Sequence, residues 1–221
     1  MAMAEHSVTR RGGMTTDRLT LAQYLSPAFP IGAYAYSQGL EQAMTEGTVH
    51  DATTLTGWVA AILTHGSARS DAILCAHARH SDPETLSDLA YAYAASAERH
   101  TEMRDQGAAF ATVLHILTGQ PHPALPYAVA LGHATRSLNL PTPEILALFL
   151  QSLAAQLISA AVRFIPLGAA EGQATLARLA PLISQTAADC AIAPLSLTTA
   201  TIGADLAAMR HETLPVRIFR T

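Results

Sequence analysis

Apolar residues in this chain recur at the three-and-four spacing of an α-helix rather than the alternation of a strand. Leu55, Trp58, Val59, Ile62 and Leu63 follow i, i+3, i+4, i+7 and i+8, and Asp51 is placed to cap the helix they define. Asp82-Pro83 and Thr142-Pro143 each set a capping side chain before a proline, whose missing N–H is harmless in a first turn. Leu86, Leu89, Ala90, Tyr93, Ala94 and Ala97 then share one helical face. Phe110, Val113, Leu114 and Leu117 share another, which stops near Gly119. Pro121, Pro123 and Pro126 break the chain, and helical segments resume at Tyr127 to Leu138, Ile145 to Phe164, Glu171 to Ala188 and Leu197 to Met209. The expectation is an all-α fold: a single compact bundle of roughly eight to ten helices with flexible N- and C-terminal arms. The arms are set at 1–17 and 212–221 and the helical domain at 18–211, with Gly12-Gly13 marking the first arm and Met14 a second candidate start.

The run from Ile145 to Val162 carries no charge over 18 residues, near the lower limit for a membrane span. Ser152, Gln156 and Ser159 fall on one face of it, small alanines fill much of the rest, and Arg163 and Pro166 end it. That pattern predicts a central helix buried by other helices, not a membrane span.

At 221 residues, 50% hydrophobic and 14% charged, the chain is apolar enough to predict a face closed by a partner or a second copy. A net charge of -4 without a long basic run excludes a nucleic-acid footprint. Cys75 and Cys190 are the only cysteines and form no CxxC, which argues against a disulfide framework and predicts the cytoplasm. All 13 basic residues are arginine. Without lysine, neither P-loop nucleotide chemistry nor Schiff-base catalysis is available to the chain.

Ten histidines invite a metal hypothesis, but only His77 and His80 have the spacing to share a helix face, with Asp71 or Cys75 upstream. No ExxH, HExxH or GxSxG occurs, so no catalytic set and no metal site are assigned.

Polar, aromatic and glycine residues concentrate in three blocks: Phe29 to Glu41, Arg163 to Gln173, and Met209 to Thr221. Tyr34 and Tyr36 combine contact area with a hydroxyl that needs a partner, which suits an interface. The final LPVRIFRT is too short to bury itself and is expected to be mobile alone. A partner with a groove for Ile218 and Phe219 and carboxylates for Arg217 would order it.

These residues resemble the UreF family of urease accessory proteins. Phe29, Pro30, Gly32, Tyr34, Ser37, Gly39, Leu40 and Glu41 match its FPxGxYxxSxGLE. Glu102, Arg104, Gln106 and Gly107 fit its middle region, and Ala161 to Gly168 with Gly172-Gln173 resemble AxRLxPLGQxxGQ. His211-Glu212 with Arg217-Ile218-Phe219-Arg220 resemble HExxxxRLFRS, and Ala169, Ile218 and Thr221 depart from the pattern. The resemblance implies a helical, dimeric, non-enzymatic factor that joins UreD (also called UreH) and the GTPase UreG and delivers nickel to apo-urease. Nickel would transit without tight binding, and the partner would hold the GTP. It makes Tyr34, Tyr36, Ser37, Glu41, Arg163, Gln173, His211, Arg217, Ile218, Phe219 and Arg220 the partner-binding candidates. Tyr34 and Arg217 are placed against UreD, and Arg163 and Gln173 along the dimer or GTPase surface. Two rival expectations stand beside this: an activator donating Arg104 or Arg163 to GTP hydrolysis, and a metal-dependent enzyme built on His77 and His80.

Overall fold

The computed structural model describes residues 16–220, among which there are ten α-helices and no strand. They are α1 (Thr16–Tyr24), α2 (Leu40–Thr45), α3 (Ala52–His65), α4 (Ser67–Ala78), α5 (Pro83–Ala92), α6 (Ala97–Thr118), α7 (Tyr127–Ala134), α8 (Thr142–Phe164), α9 (Ala169–Ala191) and α10 (Ile202–His211), with 3-10 turns at Ala33–Ala35 and Thr135–Ser137. The all-helical bundle expected from the periodicity is therefore what forms. The alternative start at Met14 and nearly all of the N-terminal arm lie outside the described residues.

Local chemistry explains most helix ends. The Asp51 carboxylate accepts from the Thr54 N–H at 2.8 Å, and Thr54 Oγ1 accepts from the Asp51 N–H at 3.1 Å, a reciprocal capping box. Asp82 caps α5 through the Thr85 N–H at 3.0 Å, with Pro83 in the first turn. Gly119 closes α6 at φ 70°, a left-handed conformation that suits glycine. Two expected starts move. Thr142 lies inside α8 after Pro141 and makes no side-chain cap. Residues 197–201 do not join α10, because the Ala200 N–H is drawn to the carbonyl of His65 at 2.8 Å.

At the head of α6, Ser96 Oγ accepts from the Arg99 N–H at 3.0 Å. Ser96→Ala is expected to cost about 1 kcal/mol, read as a lower midpoint in urea at unchanged slope.

The core is built around α8, which lies along α9 and also packs on α2, α3 and α4. Ile145, Leu146, Phe149, Leu150, Leu153, Leu157 and Ile158 are buried on its inner face. Alone among the described helices it is long and apolar enough to cross a membrane. Its packing instead makes it the central helix of the bundle. Beside it, the rings of Tyr24, Phe29, Phe110, Tyr127 and Phe149 meet in a chain of contacts 5.3 to 6.1 Å apart, mostly edge-on. A small satellite cluster of Leu21, Leu138, Leu140 and Ile145 holds α1, helped by two hydrogen bonds from Arg18 to Glu144 at 2.6 and 3.1 Å.

The C-terminal segment differs from the expected mobile arm that contributes contacts rather than core. Phe219 is 4% exposed and belongs to the main core cluster. The physical reason is a set of internal partners that position along the chain does not reveal.

Candidate functional site

Glu41 organises those partners. It sits in the first turn of α2, 1% exposed, after a left-handed Gly39 whose added Cβ would meet the Ala208 backbone at 2.6 Å. Glycine there lets α2 approach α10 closely. Ser37 Oγ accepts from the Glu41 N–H at 3.2 Å and orients the turn. The Glu41 carboxylate then accepts two consecutive tail amides, Ile218 at 2.6 Å and Phe219 at 2.9 Å. Next to it lies His211, fully buried. Its Nε2 is 2.8 Å from Glu41 and its Nδ1 is 2.7 Å from Glu98. Each ring nitrogen thus faces a carboxylate within hydrogen-bonding distance.

The same segment meets the start of α6. Glu98 accepts from Arg217 at 2.5 Å, and Glu212 accepts from the Ala97 N–H at 2.8 Å. Glu212 thereby satisfies an otherwise orphan donor at a helix N-terminus, where negative charge is favoured. The tail backbone is also held by the Arg220 N–H, which donates to the Ala35 carbonyl at 2.7 Å. From α8, Arg163 donates to the Tyr34 carbonyl at 3.0 Å and lies over the Phe219 ring at 4.7 Å. Gln156 donates to the carbonyls of Ala33 at 2.6 Å and Tyr36 at 3.2 Å.

Three blocks far apart in sequence thus pack against one another and α6, and this divides the eleven partner-binding candidates. Tyr36, Ser37, Glu41, His211 and Phe219 are buried and form an internal framework. Burial raises the Tyr36 phenol's pKa, with Arg220 acting in the opposite direction. Arg163 and Arg217 are exposed but committed to Tyr34 and Glu98. Tyr34 at 72%, Ile218 at 65%, Arg220 and Gln173 present surface. Phe219 seats in this chain's own core and Arg217 on its own Glu98, where a partner's groove and carboxylates were expected. Glu98, Ala97, Gln156 and Val216, the last 82% exposed, were missed. The signal for Glu98 was the ERHTEMRDQG block, whose acidic first turn matches the basic tail.

The metal reading finds no support from its two histidines. His77 Nε2 lies 3.0 Å from the Ala193 carbonyl, and His80 is exposed beyond the end of α4. Burial pushes the Cys75 thiol up to about 12, so it is not a poised nucleophile.

The UreF family model matches residues 49–180. A urease accessory protein UreF from Cereibacter sphaeroides (strain ATCC 17029 / ATH 2.4.9) is 57% identical over 210 residues, covering 94% of this chain and 100% of the relative. UreF from Paracoccus denitrificans is 53% identical over 207 residues, 92% and 96% of the two chains. UreF from Dinoroseobacter shibae is 49% identical over 210 residues, 94% and 100%. Similarity at this level over nearly the whole length, on a helical body whose signature blocks converge, shows that the chain belongs to the UreF family of urease accessory proteins.

Proposed function

We propose that this chain is a non-enzymatic cytoplasmic adaptor that, as a homodimer, joins UreD (UreH) and the GTPase UreG for nickel insertion into apo-urease. The observation that carries the reading is the docked tail. Its internal anchors hold Tyr34, Val216 and Ile218 outward as exposed apolar groups. Beside them is a recess of about 330 Å³ whose lining includes Glu98, Glu212, Arg217 and Arg220. An apolar patch rimmed by charges of both signs is the surface expected of a protein contact. Ile202, Leu206 and Met209 form a second exposed apolar stripe along α10, which supports self-association. Nickel would be cargo passing between polar groups, and GTP would be bound by the lysine-bearing partner.

A second reading, activation of the GTPase by a donated arginine, rests on Arg104, which is exposed on α6 beside Asp105. Arg163 is a poorer candidate because Tyr34 and Phe219 already hold it.

The test is co-expression with UreD and UreG and the mass of the complex that elutes. The wild-type chain is expected to give a joint complex containing two copies of itself. Tyr34→Ala with Ile218→Ala should lower recovery of UreD at least tenfold (about 1.4 kcal/mol) while circular dichroism stays unchanged. Full recovery by the double variant would remove this surface from the contact. A drop in GTP turnover confined to Arg104→Ala would favour the activator reading.

A further inference from the structure

A cavity of about 650 Å³ opens beside α8, with Tyr34 and Arg163 among its lining, in the size range of small-molecule sites. Tyr24, Phe29, Tyr127 and Phe149 contribute aromatic walls. Its floor is charged. Arg99 reaches from α6 to two carboxylates, Asp71 on α4 and Glu102 on α6, all nearly buried. Glu102 Oε1 accepts from Gln38 at 3.2 Å and from Gln106 at 3.0 Å. Its other oxygen, Oε2, lies 2.7 Å from Arg99 Nη1 yet has no aligned hydrogen-bond donor, and Glu102 as a whole is 1% exposed.

Two carboxylates share one guanidinium, which leaves the floor one negative charge in excess. Buried uncompensated charge is costly, and it is relieved by a proton or by a second cation. Burial raises Asp71, with Arg99 acting against it. The aromatic walls add a preference for an organic cation over a hydrated ion. The remaining charged lining residue, Arg163, stands at the rim with its guanidinium tied to Tyr34 and Phe219.

We propose that this cavity binds a free small organic cation, a guanidinium or primary ammonium on a short apolar chain, with the charged head at Glu102 and the chain against the aromatic walls. The volume holds a molecule rather than a docked helix, which favours a free ligand over a protein side chain. Tyr34 and Arg163 line this cavity as well, but its charged floor lies apart from the docked tail and its test needs no partner protein, so its failure is distinguishable from failure of the adaptor reading.

The experiment is calorimetric titration of the full chain with n-butylguanidinium and with its neutral isostere n-butylurea. Saturable one-to-one binding of the cation is expected, at least tenfold tighter than the urea. Glu102→Gln should weaken it tenfold or more. Ala155→Trp, which fills the cavity from α8 without touching the charged floor, should abolish it and keeps the test valid if Glu102→Gln does not fold. Absence of saturable cation binding, equal affinity for the urea, or binding unaffected by Ala155→Trp would each overturn the proposal.

Discussion

Glu41→Ala is expected to destabilise this protein by about 3 kcal/mol or more, since each buried donor left without its acceptor costs about 1 to 3 kcal/mol. The size follows from what the carboxylate holds. It accepts the amides of Ile218 and Phe219 and faces His211 Nε2, and its loss leaves both amides and that ring nitrogen without this partner. The tail should then leave its seat, taking the Phe219 ring out of the core and freeing Arg163 from the ring. Hydrogen exchange of residues 212–220 should rise to that of open chain, with the helical amides of α8 and α9 still protected. Glu41→Gln keeps the shape and an acceptor but loses the charge opposite His211, so an intermediate loss is expected. A Glu41→Ala protein within about 1 kcal/mol of wild type, with the tail still protected, would show that the tail is held by other contacts.

Gly107→Ala is the second large effect. A Cβ at Gly107 would lie 1.7 Å from the carbonyl oxygen of Leu125, closer than any contact between atoms. The obstacle is backbone, so no side-chain rotation relieves it, and α6 must move away from the segment that leads into α7. Overpacking that forces backbone to shift costs about 1 to 3 kcal/mol, occasionally more, and a 1.7 Å approach to backbone belongs at the upper end. Gly57 is the control: it is exposed in α3 with nothing within 4 Å of its would-be Cβ. Gly57→Ala should stabilise by about 0.4 to 1 kcal/mol. Paired urea melts of the two variants, moving in opposite directions, would separate close approach from glycine's general effect on helices. Equal, small shifts would mean that the approach at Leu125 relaxes freely.

The two predictions concern residues of very different legibility. Gly107 lies in a block that resembles the family pattern, but a glycine inside a helical stretch reads only as a weakness until the chain crossing it is known. Glu41 stands in the first turn of a short helix, where an acidic residue is ordinary; the motif marked it as a partner contact, and nothing local showed that it would turn inward. Both residues are explained by groups far along the chain, at Leu125 and at Ile218.

The caps at Asp51 and Asp82, the breaks at Gly119 and Pro126, and the burial of the apolar run in α8 were readable because each depends on residues within a turn or two. Periodicity and capping act over a few residues, so they survive in the linear order. The start of α10 was not readable, since it depends on a hydrogen bond between Ala200 and His65. Nor was the excess charge around Arg99, which requires α4 and α6 to meet.

By itself, then, the sequence determined the helical class, the positions of most helices and the blocks that mark the family. The tertiary structure alone decided what those blocks do. It turned Glu41, His211 and Phe219 inward as anchors and left Tyr34, Val216 and Ile218 outside. The physical reason is that burial depends on which distant groups arrive at the same place. A carboxylate is a surface charge or a buried strut according to whether amides and an imidazole come within 3 Å of it.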